Sequence, residues 1–160
     1  KSEVHISNRR LQHLEPLLWK WISLNKGYSA RFDDGLYWYN ERATLSTLAG
    51  AAWKCGEYAM EEFHADKSYG QDKWLGRADL WFSWKRTEYL IESKQVYLSM
   101  SAQAEHSFEK ITRAMQAARK DATASREIAA SGTLVLYLQF LRAALQMDNL
   151  SGLMRMFNDE

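Results

Sequence analysis

The chain has 160 residues, a length that fits one domain with a single hydrophobic core. Its 21 lysines and arginines nearly balance its 20 acids, so the net charge of +1 requires any nucleic-acid partner to find a local basic patch. The longest apolar run, 134–138, is far too short to span a membrane, and the amino end lacks a secretory signal pattern. The single cysteine, Cys55, excludes an internal disulfide and favours a reducing, cytoplasmic location.

The amino-terminal segment, 1–25, is predicted to be helical. Pro16 is expected either to kink this helix or to start a second one. The run 25–27, Asn-Lys-Gly, is a stop signal, and 28–40 is predicted as loop. One buried helical face is indicated by four apolar residues at spacings of three and four: Leu11, Leu14, Leu18 and Trp21.

A long helix is predicted over 41–65, with Asn40 as its N-cap and Gly56 as a tolerated cost in its interior. The polar stretch 66–75 is predicted to turn, with room for a short edge strand. The apolar side of the helix is predicted from four residues that lie close to one face: Leu45, Leu48, Ala52 and Met60.

Two strands are predicted at 77–84 and 88–97, joined by the connection 85–87 and therefore antiparallel. A helix over 101–124 and a buried strand over 133–141 follow. The tail is predicted to return to helix with one apolar stripe, which is either core or a subunit interface: Leu150, Leu153, Met154 and Phe157. This order predicts an α/β fold with helices on both faces of a small mixed sheet.

The predicted hairpin carries three charged residues that suggest chemistry. Asp79 lies on its first strand, and Glu92 and Lys94 lie on its second. Because side chains alternate along a strand, Glu92 and Lys94 share one face. Two carboxylates on neighbouring strands with a lysine beside them suit a divalent metal ion. The competing interpretation is an ion pair on a solvated sheet face, which contributes about 0–1 kcal/mol.

The run 76–80, Gly-Arg-Ala-Asp-Leu, followed by 90–94, Leu-Ile-Glu-Ser-Lys, resembles the PD-(D/E)XK nuclease superfamily. The resemblance implies a restriction-endonuclease-like three-layer core over 41–141. The same division makes 1–40 an amino-terminal helical extension and 142–160 a carboxyl-terminal helix. Ala78 departs from the proline that often stands there, and the Gln-x-x-x-Tyr motif of an exonuclease branch is missing.

This family often adds an acid on the first core helix. The Glu41-Arg42 start of the predicted long helix resembles archaeal Holliday-junction resolvases of this fold, which makes Glu41 the first candidate. Glu57 and Glu61, placed further along the same predicted helix, are its rivals.

The resemblance implies a Mg²⁺-dependent endodeoxyribonuclease in which Mn²⁺ can substitute. Asp79 and Glu92 would bind the metal, and Glu41 would bind it through water or hold a second ion. Lys94 would orient or deprotonate the attacking water, and the products would carry 5′-phosphate and 3′-hydroxyl ends. DNA is the implied partner, and the same resemblance allows a homodimer that cuts both strands.

Further basic residues are predicted to contact phosphates or, equally, to form a solvated charged surface. They are Lys85, Arg86, Lys110 and Arg113, with Arg119 and Lys120 on the same helix. The alternative to an enzyme is a non-catalytic module of the same fold that binds nucleic acid or protein. The four histidines show no metal-ligand spacing, and Cys55 is interpreted as packing.

Overall fold

The computed structural model of the protein describes residues 4–6, 8–98, 104–125, 134–143 and 153–158. It is a mixed α/β structure, and none of its described helices is long and apolar enough to cross a membrane. Two short 3₁₀ helices lie at Arg9–Leu14 and Leu36–Trp38. The other elements are α1 (Glu15–Phe32), α2 (Glu41–Lys54), β1 (Ala59–Tyr69), β2 (Asp72–Trp84), β3 (Thr87–Leu98), α3 (Ala104–Ser125), β4 (Leu134–Ala143) and β5 (Leu153–Asn158).

Pro16 starts a helix and does not kink one. The first 3₁₀ helix ends at Leu14, and Pro16 lies in the first turn of α1, where its missing N–H group is not needed. The predicted stop at 25–27 is wrong, because α1 continues to Phe32 and ends at Asp33 in the left-handed conformation, with φ of 51°. One glycine costs a helix only about 1 kcal/mol, which packing against α2 can offset.

The long predicted helix is two elements. Asn40 caps α2 as expected, its side chain accepting a hydrogen bond from the Ala43 N–H at 2.8 Å. However, α2 ends at Lys54, and Gly56 adopts a φ of 80° that redirects the chain into β1. The predicted helix 41–65 is therefore wrong after Lys54. Met60 is a strand residue that is 47% exposed, whereas Leu45, Leu48 and Ala52 are buried as predicted.

The chain next forms two antiparallel hairpins. The stretch 66–75, predicted to turn, is mostly strand, and β1 reaches β2 through a tight turn at Gly70, with φ of 65°. Lys85 and Arg86 alone connect β2 to β3, with φ of 49° and 68°. Two positive φ values are the signature of a type I′ turn, which matches the twist of the flanking strands.

The five strands form one sheet in the order β1-β2-β3-β4-β5. α3 connects β3 to β4, which are parallel, and β5 pairs antiparallel with β4. The predicted helix is confirmed over 104–124 and the predicted strand over 134–141, whereas 101–103 and 133 lie outside the described residues. The predicted carboxyl-terminal helix over 142–160 is wrong at 153–158, where pairing with β4 overrides the helical spacing of the apolar residues. Leu150 lies outside the described residues.

Helices cover both faces of the sheet. Ile91 belongs to a cluster with α2, the first 3₁₀ helix and the amino-terminal end of α1. The preceding residue, Leu90, belongs to a second cluster with Ala118 and Ala122 of α3. Because consecutive strand residues point to opposite faces, α2 and α3 lie on opposite sides of β3. From α2 to β4 the order is helix, three strands, helix, strand, as the sequence predicts for the core.

Candidate active site

The strands β2 and β3 separate at the predicted acids. They pair from the turn as far as Leu80 opposite Ile91. Beyond this point β2 stays paired only with β1, and β3 only with β4. Asp79 lies at the opening, where its Oδ2 accepts a hydrogen bond from the Ser93 N–H at 2.7 Å. This carboxylate thus takes the place of a strand partner. We call the opening, with Asp79, Glu92 and Lys94 beside it, the fork.

The pairing of β1 with β2 is also interrupted beside Asp79. Glu61 pairs with Leu80 and Phe63 with Ala78, whereas Glu62 between them has a positive φ of 49°. Ala78 packs in the cluster under α3, and Leu80, two residues on, packs in the cluster under α2. Residues two apart on a regular strand would pack on the same side of the sheet, so the β1–β2 hairpin is distorted at Asp79. Local distortions of this kind are often found next to active sites.

Glu92 is buried in a network that the sequence analysis missed. Its side chain is 1% exposed, and its Oε1 accepts hydrogen bonds from Lys67 Nζ at 2.8 Å and Ser125 Oγ at 2.5 Å. Gly76 leaves room for the lysine stem, because a Cβ there would lie 3.0 Å from Lys67 Cδ. Burial raises the pKa of Glu92, and the charge of Asp79 raises it further, while Lys67 and Ser125 oppose both effects.

Lys94 is held on the same side of the sheet by α3. Its Nζ lies 2.7 Å from Asp121 Oδ2. Burial acts to lower the pKa of Lys94, but Asp121, Asp79 and Glu41 together outweigh it and raise that pKa. Lys94 is therefore a cation at neutral pH. An ammonium group in this position is suited to stabilising negative charge.

Glu41, the first residue of α2, is the helix acid that lies beside the fork. Burial raises the pKa of its carboxyl and Asp79 adds to this, against Lys94, the Gln95 N–H and the Ser93 hydroxyl. Glu57 and Glu61 are not on α2 at all. Glu57 accepts a hydrogen bond from the Lys85 N–H at 2.9 Å, and Glu61 accepts one from Ser46 Oγ at 2.5 Å.

An open pocket of about 490 Å³ lies beside Glu41 and Asp79, and two arginines line it. Arg42 Nε lies 2.9 Å from one Glu62 oxygen, and Arg77 Nη1 lies 3.2 Å from the other. Both arginine side chains are more than half exposed. The described residues that line it do not include Glu92 or Lys94; they are Asn40, Glu41, Arg42, Glu62, Arg77 and Asp79. Cations at the rim and acids below suit a bound phosphate next to a metal ion.

The structure does not bring the four predicted phosphate-contacting residues together. Lys85 and Arg86 form the β2–β3 turn, roughly 20 Å along β2 from Asp79. The contacts of Asp121 with Lys94 and of Ser125 with Glu92 show that α3 runs antiparallel to β3. Lys110 and Arg113 therefore lie towards the other end of β3, and Arg113 pairs with Glu109 at 3.6 Å.

Some of the residues that the sequence analysis missed lie within recognised sequence runs, and others carry no signal in the sequence. Arg42 directly follows Glu41, and Arg77 stands two residues before Asp79, so both were within recognised runs. Lys67 gave no signal, because its strand was interpreted as a turn. Ser125 and Asp121 meet the fork only through the packing of α3 on β3.

The acid group fits Mg²⁺ by its donor chemistry. Hydrogen bonds within the described residues use one oxygen of Asp79 and one of Glu92. Mg²⁺ usually binds one or two carboxylates and keeps several waters. Within the described ranges, no group of three or more acid, histidine or cysteine side chains is assembled as a metal site.

Comparisons of the chain with protein-family models, with curated proteins and with solved structures found no match.

Proposed function

We propose that this protein is a metal-dependent nuclease that hydrolyses DNA phosphodiester bonds on a restriction-endonuclease-like fold of the PD-(D/E)XK type. The observation that carries the proposal is the fork, where β2 and β3 separate at Asp79 and Glu92 with Lys94 alongside. The order of helix, three strands, helix and strand supports the same assignment.

In this proposal Asp79 and Glu92 would hold Mg²⁺, and Glu41 would support it through water or hold a second ion. Mg²⁺ in such a site supplies Lewis-acid activation of the scissile phosphate and of a water molecule. The raised pKa of Lys94 keeps its ammonium charged, so it offsets the negative charge that develops on the phosphate. Arg42 and Arg77 at the rim orient the DNA backbone.

The direct test is cleavage of plasmid, single-stranded and branched DNA in Mg²⁺ or Mn²⁺. We expect Asp79→Asn and Lys94→Met each to lower the rate by about 100-fold or more, the usual loss when one charge-stabilising group is removed. Asp72→Asn, an exposed acid on the same strand, is the matched control and should cut like the wild type. Equal rates for all four proteins, or no cutting of any substrate by the wild type, would contradict the proposal.

A second candidate function is a non-catalytic binding module on the same fold. The observation that favours it is the internal pairing of the fork, because Lys67 and Ser125 engage Glu92 and Asp121 engages Lys94. In such a module these contacts would be structural and no metal would bind. Calorimetric titration with Mn²⁺ separates the two candidates, since heat that is lost in Asp79→Asn requires a metal at the fork.

A further inference from the structure

An exposed aromatic pair lies where α2 ends and β1 begins. Trp53 is 55% exposed and Tyr58 is 64% exposed. Their rings meet nearly edge to face, with centroids 5.4 Å apart. Each large ring leaves apolar area in water, and exposed apolar area that is grouped in this way marks a binding surface more often than scattered single residues do.

Hydrogen bonds fix this pair to the β2–β3 turn. The Ser83 N–H donates to the Tyr58 carbonyl at 2.9 Å, and the Tyr58 N–H donates to Ser83 Oγ at 3.1 Å. The Lys85 N–H donates to Glu57 Oε1 at 2.9 Å. The aromatic rings and the two basic turn residues therefore belong to one ordered unit, which can bind a ligand without first being ordered.

The charges around the rings favour a polyanion. Lys54, Lys85 and Arg86 are all exposed beside them. Two acids lie in this region. Glu57 has its carboxylate engaged by the Lys85 N–H and by Ser83 Oγ, and these hydrogen bonds lower its pKa. Glu88, the partner of Ser83 across the hairpin, accepts a hydrogen bond from Trp81 Nε1 at 3.2 Å. Aromatic faces combined with basic side chains are the means by which proteins bind single-stranded nucleic acid without sequence preference.

We propose that Trp53, Lys54, Tyr58, Lys85 and Arg86 form a binding surface for single-stranded nucleic acid, here called the aromatic–basic surface. The proposal rests on the proposed nuclease function and specifies its substrate as DNA with a single-stranded segment. The bases stack on Trp53 and Tyr58, and the phosphates contact the three cations.

Two elements give the distance from this surface to the fork. α2 begins with Glu41 at the fork and ends with Lys54 at the surface, a rise of roughly 20 Å. β2 covers roughly the same distance from Asp79 to the turn. Stacked nucleotides advance about 3.4 Å each, so roughly six nucleotides join the two places. A single DNA strand bound at the aromatic–basic surface thus needs only a short segment of nucleotides to reach the acids of the fork.

Fluorescence anisotropy with a fluorescein-labelled oligothymidylate of about 20 nucleotides tests the stacking residues. EDTA in the buffer removes metal, so binding is measured without cleavage. We expect the double variant Trp53→Ala/Tyr58→Ala to bind about tenfold more weakly or worse. Trp19→Ala, which removes a 41% exposed tryptophan from α1, is the matched control and should bind like the wild type. Equal affinity of the double variant and this control would overturn the proposal.

The charges are tested without disturbing the turn. Lys85→Asn/Arg86→Gly removes both cations and installs Asn-Gly, the preferred pair for a type I′ turn. The plot of log affinity against log salt should become shallower by about 1.4, because each phosphate contact on a single strand contributes about 0.7. Lys20→Gln/Lys26→Gln removes two exposed charges from α1 and should keep the wild-type slope. An unchanged slope in the turn variant would also overturn the proposal.

The two proposals fail separately. Binding through the aromatic–basic surface without cleavage of any DNA supports the surface and contradicts the nuclease. Cleavage by a protein whose double aromatic variant binds normally contradicts the surface alone. A wild-type protein that does not bind the oligothymidylate overturns the surface proposal.

Discussion

At the scale of single residues, the buried ion pair of Lys67 with Glu92 is the most consequential contact of the fork. Both side chains have left water, at 9% and 1% exposed, so each depends on the other for compensation. A buried pair adds little net stability compared with apolar residues of the same size, but removal of one partner leaves an uncompensated charge. The loss of stability on removing one partner is therefore much larger than the net stability that the pair contributes.

We therefore expect Lys67→Met to lower the free energy of unfolding by about 3–5 kcal/mol at neutral pH. Adding Glu92→Leu should recover most of that loss, because no buried charge then remains. Urea denaturation at equilibrium measures both variants. Lys73→Met, an exposed lysine on β2, is the control and should be nearly neutral. If Lys67→Met is as mild as this control, the pair is not buried in solution.

The burial of Glu41 predicts a pH dependence of stability. Its folded-state pKa is raised above the ordinary value of 4.5, so the folded protein holds this proton more tightly than the unfolded chain does. Stability then falls as the pH rises through 4.5 towards the folded-state pKa. Glu41→Gln cannot ionise and lacks this effect, so the stability of the variant relative to the wild type should increase between pH 4 and pH 7.

Urea titrations of both proteins across this range measure the difference. The opposite slope, with the wild type gaining on the variant as the pH rises, would mean that Lys94 and the Gln95 N–H outweigh burial. The Glu57→Gln variant is the matched control, because the pKa of Glu57 is lowered by the Lys85 N–H and Ser83. Its stability relative to the wild type should change in the opposite direction, falling as the pH rises.

At the scale of elements, two glycines show what the sequence could not indicate. The sequence predicts a stop at Gly27, which lies inside α1, and a helix interior at Gly56, which follows the end of α2 at Lys54. The residue type is the same and only the backbone conformation differs, with φ of 80° at Gly56. Which glycine adopts a positive φ depends on the packing of the whole chain, and local spacing carries no record of it.

The same substitution should therefore have opposite effects at the two positions. Gly27→Ala adds a Cβ that meets nothing within 4 Å, and we expect a gain of about 0.5–1 kcal/mol from the better helix former. Gly56→Ala also has open space, but it must adopt a left-handed backbone at a cost of about 1–2 kcal/mol. Thermal and urea unfolding report both signs, and a loss of stability in Gly27→Ala would show that α1 does not continue past residue 27.

At the scale of the whole molecule, the sequence predicted the parts of the fork that depend on local structure. The period of two along a strand places Glu92 and Lys94 on one face, and the short β2–β3 connection brings Asp79 beside them. Lys67, Asp121 and Ser125 complete the fork through β1 and α3, which requires the pairing of β1 and the packing of α3 to be known. Contacts between distant segments leave no periodic pattern in the sequence. The sequence therefore indicates the acids but not the residues that pair with the charged groups of the fork.

A metal at the fork should stabilise the whole molecule, because it binds the folded chain and not the unfolded one. Mass action gives about 2.7 kcal/mol at a concentration 100 times the dissociation constant. We expect Mn²⁺ to raise the melting temperature of the wild type in a saturable way, and Asp79→Asn to lose this effect. Asp72→Asn should keep it, because Asp72 is the first residue of β2 and Asp79 lies further along that strand. Binding at Glu92 competes with Lys67 for the same carboxylate, so Lys67→Met should show a larger rise than the wild type. An equal rise in Asp79→Asn and the wild type would place the metal elsewhere, and the fork would then be a structural ion-pair network.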